Sequence, residues 1–138
     1  MMIDQLFSND TFVALQKGLD ASSLKQQVIA NNVANINTPG YKKQDVSFED
    51  EFKQAIDNKY DAGMLQTDPR HLPGGSSLTS VGIKVTTVGA TSMRYDGNNV
   101  DIDEEMSKLA ENTIRYNAMA QLMSSRLSSL KTVINGGR

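Results

Sequence analysis

Near the start of the chain Phe12, Leu15, Leu19, Ser22, Gln26, Ile29, Val33 and Ile36 follow one another at alternating gaps of three and four. Six of these positions are apolar, and the alternation is the seam of a heptad helix. Toward the other end Met106, Leu109, Thr113, Tyr116, Ala120, Met123, Leu127, Leu130 and Ile134 keep the same rhythm. The pattern predicts two helices of about 25 to 29 residues, each about 37 to 43 Å long at 1.5 Å per residue. Asn9 or Asp10 is placed to cap the first. Asp101, Asp103, Glu104 and Glu105 put carboxylates at the positive end of the second.

A second stripe runs beside each seam: Ala14, Ala21, Leu24 and Val28 on the first helix, Ile114, Ala118 and Leu122 on the second. A two-helix hairpin buries one stripe per helix and leaves the other wet, and helices apolar on more than one face are normally surrounded by partners. Residues 48–59 are the only segment left for a third helix, and they are too few to cover both stripes. Leu24, Val28, Ile114, Ala118 and Leu122 are therefore expected to meet other chains.

Between the helices the pattern shortens. Phe48, Phe52 and Ile56 lie on one face of a short helix, with Ser47 and Asp50 spaced as a capping box. Residues 61–80 have no period and many turn formers, which predicts a mobile loop. Ile83, Val85 and Thr87 alternate like a strand, and Asp96-Gly97 is a hairpin-type turn signal, so a small β-ribbon is expected here.

The stretch ANNVANINTPGYKK, residues 30–43, breaks the helical logic. Asparagine competes for the backbone and weakens a helix interior, yet four of them crowd the last turns of the first helix. Pro39 drives Thr38 out of the α region, so the helix must stop, and Gly40 permits a tight reversal. Asn31 and Asn35 prolong the second stripe beyond its apolar part. A carboxamide both donates and accepts, so these two are expected to bind backbone in a neighbouring copy and fix its register.

Composition narrows the function. The 138 residues suffice for one ordinary domain, and a net charge of −2 without a basic stripe gives no indication of nucleic acid. No cysteine is present, which removes disulfides, thiolate zinc sites and thiol catalysis together. No stretch approaches the roughly 20 apolar residues of a membrane span, and the start lacks the basic and apolar regions of a cleaved signal. The single histidine, His71, stands alone between Arg70 and Leu72. Asp96, Asn98 and Val100 have the spacing of a calcium loop, but Asp101 occupies its glycine position and Ser107 its glutamate position. Gly74-Gly75 leads into Ser-Ser, not into the Lys of a phosphate loop. No nucleophile–base pair emerges. The chain reads as a non-enzyme with no cofactor, no metal and no small-molecule substrate.

The segment Asn31, Asn32, Ala34, Asn35, Asn37, Thr38, Pro39, Gly40 and Tyr41 resembles the N-terminal signature of the bacterial flagellar axial proteins, the rod, hook and hook-associated subunits. The C-terminal run from Asp96 to Leu130 is similar to the closing helix of proximal rod subunits of the basal body. The resemblance implies a structural subunit of the proximal rod, polymerising into the tubular drive shaft that links the inner-membrane ring to the distal rod and hook. It implies copies of itself, other rod proteins, the membrane-ring adaptor and the flagellar export apparatus as partners. It further implies a place in the periplasmic space, reached by type III export without a cleaved signal peptide. Another axial subunit is the nearest alternative, and a cytosolic helical-hairpin adaptor a more distant one.

The expected fold is mainly α. An antiparallel coiled-coil hairpin of residues 1–37 and 101–138 carries a small middle domain, residues 38–100, with a short helix, a β-ribbon and the loop 61–80.

Overall fold

The computed structural model of the chain describes residues 10–50, 52–54, 81–89 and 94–136. Helix α1 (Asp10–Ala34) leads through a turn into strand β1 (Gln44–Ser47). Strand β2 (Lys84–Thr87) and helix α2 (Ile102–Ile134) follow. By its internal contacts the chain divides into two compact units, Met1–Val46 with Val85–Arg138, and Ser47–Lys84. Residues 38–46 and 85–100, which the sequence pattern groups with the middle region, thus cluster with the helices. The reason is polar: among the described residues of these segments, Tyr41, Lys43, Gln44, Arg94 and Asn98 are hydrogen-bonded to the helix ends or to the turn after α1.

The helices run antiparallel. A Cβ added at Gly18 would meet Met119 Sδ at 2.7 Å. Farther along α1, the Ser22 carbonyl accepts from Asn112 Nδ2 at 2.8 Å, and Asn32 Nδ2 reaches Glu105 Oε2 at 2.9 Å. Numbers climb on one helix as they fall on the other. At 33 residues α2 is longer than α1, which has 25.

The packed face of α1 differs from the expected seam. Its buried residues are Gly18, Ala21, Ser22, Val28, Ile29 and Asn32, two from the seam, two from the second stripe and two from neither. Neighbouring residues on a helix are only about 100° apart, so a face centred between the two stripes takes part of each. Val28, expected on a surface between chains, is buried within its own chain at 4 % exposure. Leu24 is half-buried, as are Phe12, Leu15, Leu19, Val33 and Ile36.

On α2 the buried side chains are Glu105 and Asn112, both polar. Leu109, Tyr116, Ala120, Met123 and Leu130 of the expected seam are half-buried, joined by Met119. Met106, Thr113, Leu127 and Ile134 are exposed, against expectation. Exposure sets in from the first heptad and recurs along the seam, so the packed face of α2 is rotated as a whole toward Glu105, Asn112 and Met119, each one residue, or about 100°, before a seam position.

The sheet pairs β1 with β2 in antiparallel fashion. The ribbon is therefore not a local hairpin closed by Asp96-Gly97; that dipeptide makes a separate turn after β2. Every residue of β2 is exposed, so the alternation of Val85 and Thr87 marks a strand without marking a core face. In the second unit Phe48 is buried and stacks on Phe52, ring centroids 4.9 Å apart, where residues 49–50 and 52–54 are helical. Asn9, Ile56, His71, Gly74, Gly75 and the loop 61–80 lie outside the described residues.

The displaced seam has a measurable consequence. Truncating a buried aliphatic side chain costs about 2–5 kcal/mol, so Ile29→Ala, at 3 % exposure, should lower the urea midpoint strongly. Leu127→Ala, on the exposed part of the expected seam, should shift it by no more than about 1 kcal/mol. Equal shifts for the two variants would restore the strict heptad seam.

Candidate functional site, an asparagine joint between the helix ends

Asn32 lies on the last full turn of α1 and is completely buried. Its Nδ2 donates to the Gln44 carbonyl at 2.8 Å and to Glu105 Oε2 at 2.9 Å. Its Oδ1 accepts from the Gln44 backbone N–H at 3.0 Å and from the Tyr41 hydroxyl at 3.2 Å. A carboxamide has two donor hydrogens and two acceptor lone pairs, and here all four are used. One side chain thereby holds three segments: its own helix, the start of β1 and the first turns of α2.

The remaining signature residues divide by direction. Tyr41 is half-buried and turns its hydroxyl to Asn32. Asn35 Nδ2 donates back to the Asn31 carbonyl at 2.8 Å, and its Oδ1 accepts from Thr38 Oγ1 at 3.2 Å. Its side chain is engaged inside its own chain, contrary to the expectation that it reaches a neighbour. Asn31, Ala34, Asn37, Thr38, Pro39 and Gly40 are exposed. Gly40 has φ +73°, where a side chain would be strained.

A second pair of asparagines completes the joint from the far side of the chain. Asn98 and Asn99 are fully buried. The two Nδ2 hydrogens of Asn98 are shared among the carbonyls of Asn35, Ile36 and Thr38, each at 3.0 Å. Asn99 Oδ1 accepts from Lys43 N–H, and its Nδ2 donates to the Val88 carbonyl, both at 2.7 Å. The two turns meet at their glycines: a Cβ on Gly97, itself at φ +80°, would lie 3.7 Å from Gly40 Cα, and Gly40 N–H donates to the Asp96 carbonyl at 2.9 Å. Lys42 Nζ donates to the Gly97 carbonyl at 2.7 Å.

Charges close the outer edge. Lys43 Nζ bonds Glu104 Oε2 at 2.9 Å, and Lys108 Nζ bonds Glu104 Oε1 at 2.8 Å. Asp45 and Glu105 stand 3.8 and 3.9 Å from the same Lys108 ammonium. Hydrogen bonds from Lys108 and then Lys43 hold the Glu104 carboxyl down at about 2. Desolvation pulls Lys108 downward, but the Glu104 hydrogen bond and the charges of Asp45, Glu104 and Glu105 leave it above its ordinary value. Among the described residues no buried side-chain polar atom lacks a partner.

Of the acids expected to cap α2, Asp101 does so: its side chain accepts from Asp103 N–H at 2.9 Å and Glu104 N–H at 3.4 Å. Glu105 has a different role. It is buried against Asn32, where sequence reasoning saw only a helix-start carboxylate. Asn98, Asn99 and Asn112 were missed as well. A usable signal existed in the seven-residue spacing of Glu105 and Asn112, two polar side chains on one helical face among Leu109 and Tyr116.

Comparison with known proteins points the same way. The family model for flagella basal body rod proteins matches residues 14–42, most of α1 and the turn that follows. The chain is 41 % identical over 133 residues to flagellar basal body rod protein FlgB of Bacillus subtilis (strain 168), covering 96 % of this chain and 98 % of that protein. It is 35 % identical to FlgB of Borreliella burgdorferi, over 84 % of this chain and 89 % of that one. Against FlgB of Escherichia coli (strain K12) identity is 29 %, over 88 % and 91 %.

Two outcomes are expected of the joint. Asn32→Ala strands the Gln44 backbone groups and removes a donor from buried Glu105. Each stranded group costs about 1–3 kcal/mol, so the urea midpoint should collapse, whereas Asn31→Ala, on the exposed side, should leave it within about 0.5 kcal/mol. Similar midpoints would mean that the Asn32 hydrogen bonds are not structural.

The second outcome concerns acid. Glu104 has its folded value depressed from 4.5 to about 2, so its contribution is present above pH 4.5 and lost as the pH falls toward 2. Its partial exposure means that salt weakens the effect. The thermal midpoint of Glu104→Gln should be flatter than wild type across that window, and parallel curves would remove Glu104 from the acid response.

Proposed function

The chain belongs to the flagellar basal body rod protein family and is a structural subunit of that rod, and from this premise we propose how it assembles. The subunit polymerises with copies of itself and with other rod proteins into the proximal part of a tubular drive shaft. That shaft joins the membrane-ring adaptor to the distal rod and hook. Subunits reach the periplasmic space through the flagellar export apparatus. The role is mechanical. A helical tube is a heterologous, non-closing assembly, which requires complementary surfaces on each subunit.

The observation that carries this reading is the apolar stripe on α2. Ile114 and Leu122 are 71 % and 57 % exposed, and Ala118 between them is exposed too. Spaced four residues apart, they form one ridge on the flank that α1 leaves uncovered. On α1 the corresponding surface is reduced to Leu24, because Val28 is already buried. The joint supports the reading in a second way. It sets the angle between the chain's turn and its helices by hydrogen bonds with fixed geometry, as a torque-bearing subunit needs.

Alternative assignments lose ground. The relatives that span nearly the whole chain are named as one rod protein, which favours the proximal rod over another axial subunit. Family membership displaces the unrelated cytosolic adaptor.

In a strain deleted for the gene, the wild-type chain should restore swimming and a complete basal body. Leu122→Asp places a charge on the ridge without touching the joint. It should yield a soluble, folded subunit that fails to enter the rod and fails to restore motility. Incorporation of Leu122→Asp at wild-type efficiency would show that the ridge is not a contact between subunits.

A further inference from the structure

Residues 96–101 bind the turn that follows α1 and cap the start of α2. The last turn of any helix leaves carbonyls without intrahelical donors, and the first turn leaves amides without acceptors. Beyond the end of α1 at Ala34, the two Nδ2 hydrogens of Asn98 are shared among the carbonyls of Asn35, Ile36 and Thr38, each at 3.0 Å. Arg94 Nη1 adds a bond to the Ile36 carbonyl at 3.1 Å. A few residues further on, Asp101 Oδ1 takes the open amides of Asp103 and Glu104 at the start of α2.

The two contacts are tied into one piece. Asp96 Oδ1 accepts from Asn98 N–H at 3.1 Å, and Asn98 Oδ1 accepts from Val100 N–H at 2.8 Å. Asn98, Asn99 and Val100 are all buried, so this short stretch has little freedom once docked. Helices usually end on a glycine just past the last turn. Here Gly40, the first residue with positive φ, comes six positions after Ala34. The carbonyls of Asn31, Asn32 and Val33 are taken locally by Asn35 N–H and Ile36 N–H, and the turn beyond Ala34 is held by a side chain about sixty residues away in sequence.

We propose that residues 96–101 bridge the two helix ends, and that through this bridge the last turns of α1 and the first turns of α2 order as a single event. Docking of this one segment holds the turn after α1 through Asn98 and sets Asp101, the N-cap, at the start of α2. Regions that open together in this way form one cooperative unit, separate from the helix ends that lie far from it. The unit would comprise the Asn32 turn, the segment 38–46, the segment 94–101 and α2 as far as Leu109.

Amide hydrogen exchange on the purified full-length chain tests the coupling. In wild type, residues 29–38 and 102–109 should share one protection level. Asn98→Ala should lower protection in both by about tenfold or more, the equivalent of about 1.4 kcal/mol. Asn98→Asp keeps the size of the side chain but turns donors into acceptors facing three carbonyls, so it should do at least as much damage. Asp101→Ala provides the independent arm, because its cap bonds lie wholly within the start of α2, yet coupling requires protection to fall in residues 29–38 as well. The proposal is overturned if wild type shows no protection there, if Asn98→Asp behaves as wild type, or if either alanine variant loosens only its own neighbourhood.

Discussion

A buried carboxamide must satisfy two donor hydrogens and two acceptor lone pairs or lose stability for each one it cannot pair. Asn32 meets that demand with one backbone N–H, one backbone carbonyl, one hydroxyl and one carboxylate. The geometry of those bonds allows little choice in where β1 starts or where α2 begins. Apolar packing alone would be more permissive, because dispersion and solvent exclusion are not directional. The hairpin takes its alignment from this polar contact, and the apolar residues fill in around it.

The interior is correspondingly unusual. Among the described residues the largest fully buried side chains are Glu105, Asn32, Asn98 and Asn99, while the buried apolar set is made mostly of valine. Low dielectric strengthens such a network when every member is paired and makes any unpaired member costly. The joint is thus strict at its centre. At its rim, Lys43, Glu104, Lys108 and Asp45 are partly exposed, and their bonds adjust the edge of the joint without setting its register.

This division suits a subunit of an assembled rod. Directional hydrogen bonds hold the reversal between the helices, and much of α2 is left with apolar side chains facing outward. A helix whose only buried side chains are Glu105 and Asn112 has most of its apolar surface uncovered in the single chain. The proposed contacts between subunits would cover it. Shape would then be set within each chain, and cohesion would come largely from between chains.

Sequence alone determined the two long helices, the end of the first one before Pro39, although it comes earlier at Ala34, and a cluster of carboxylates at the start of the second. Each of these rests on local periodicity or backbone sterics, which a chain carries wherever it is placed. The family resemblance was legible too, because the asparagine-rich signature is contiguous. Tertiary structure decided which of those asparagines matter. Asn31 and Asn32 are neighbours of the same type, yet one is exposed and the other completely buried. Helical phase separates them by about 100°, but only the position of α2 says which phase faces inward. The same holds for Val28, read as outward and found inside, and for Glu105, read as a surface acid and found against Asn32. The pairing of β1 with β2 and the docking of Asn98 beneath the end of α1 join residues 40 to 60 positions apart. Such contacts leave no period in the sequence, since hydrogen bonds between distant segments constrain only the few residues that make them.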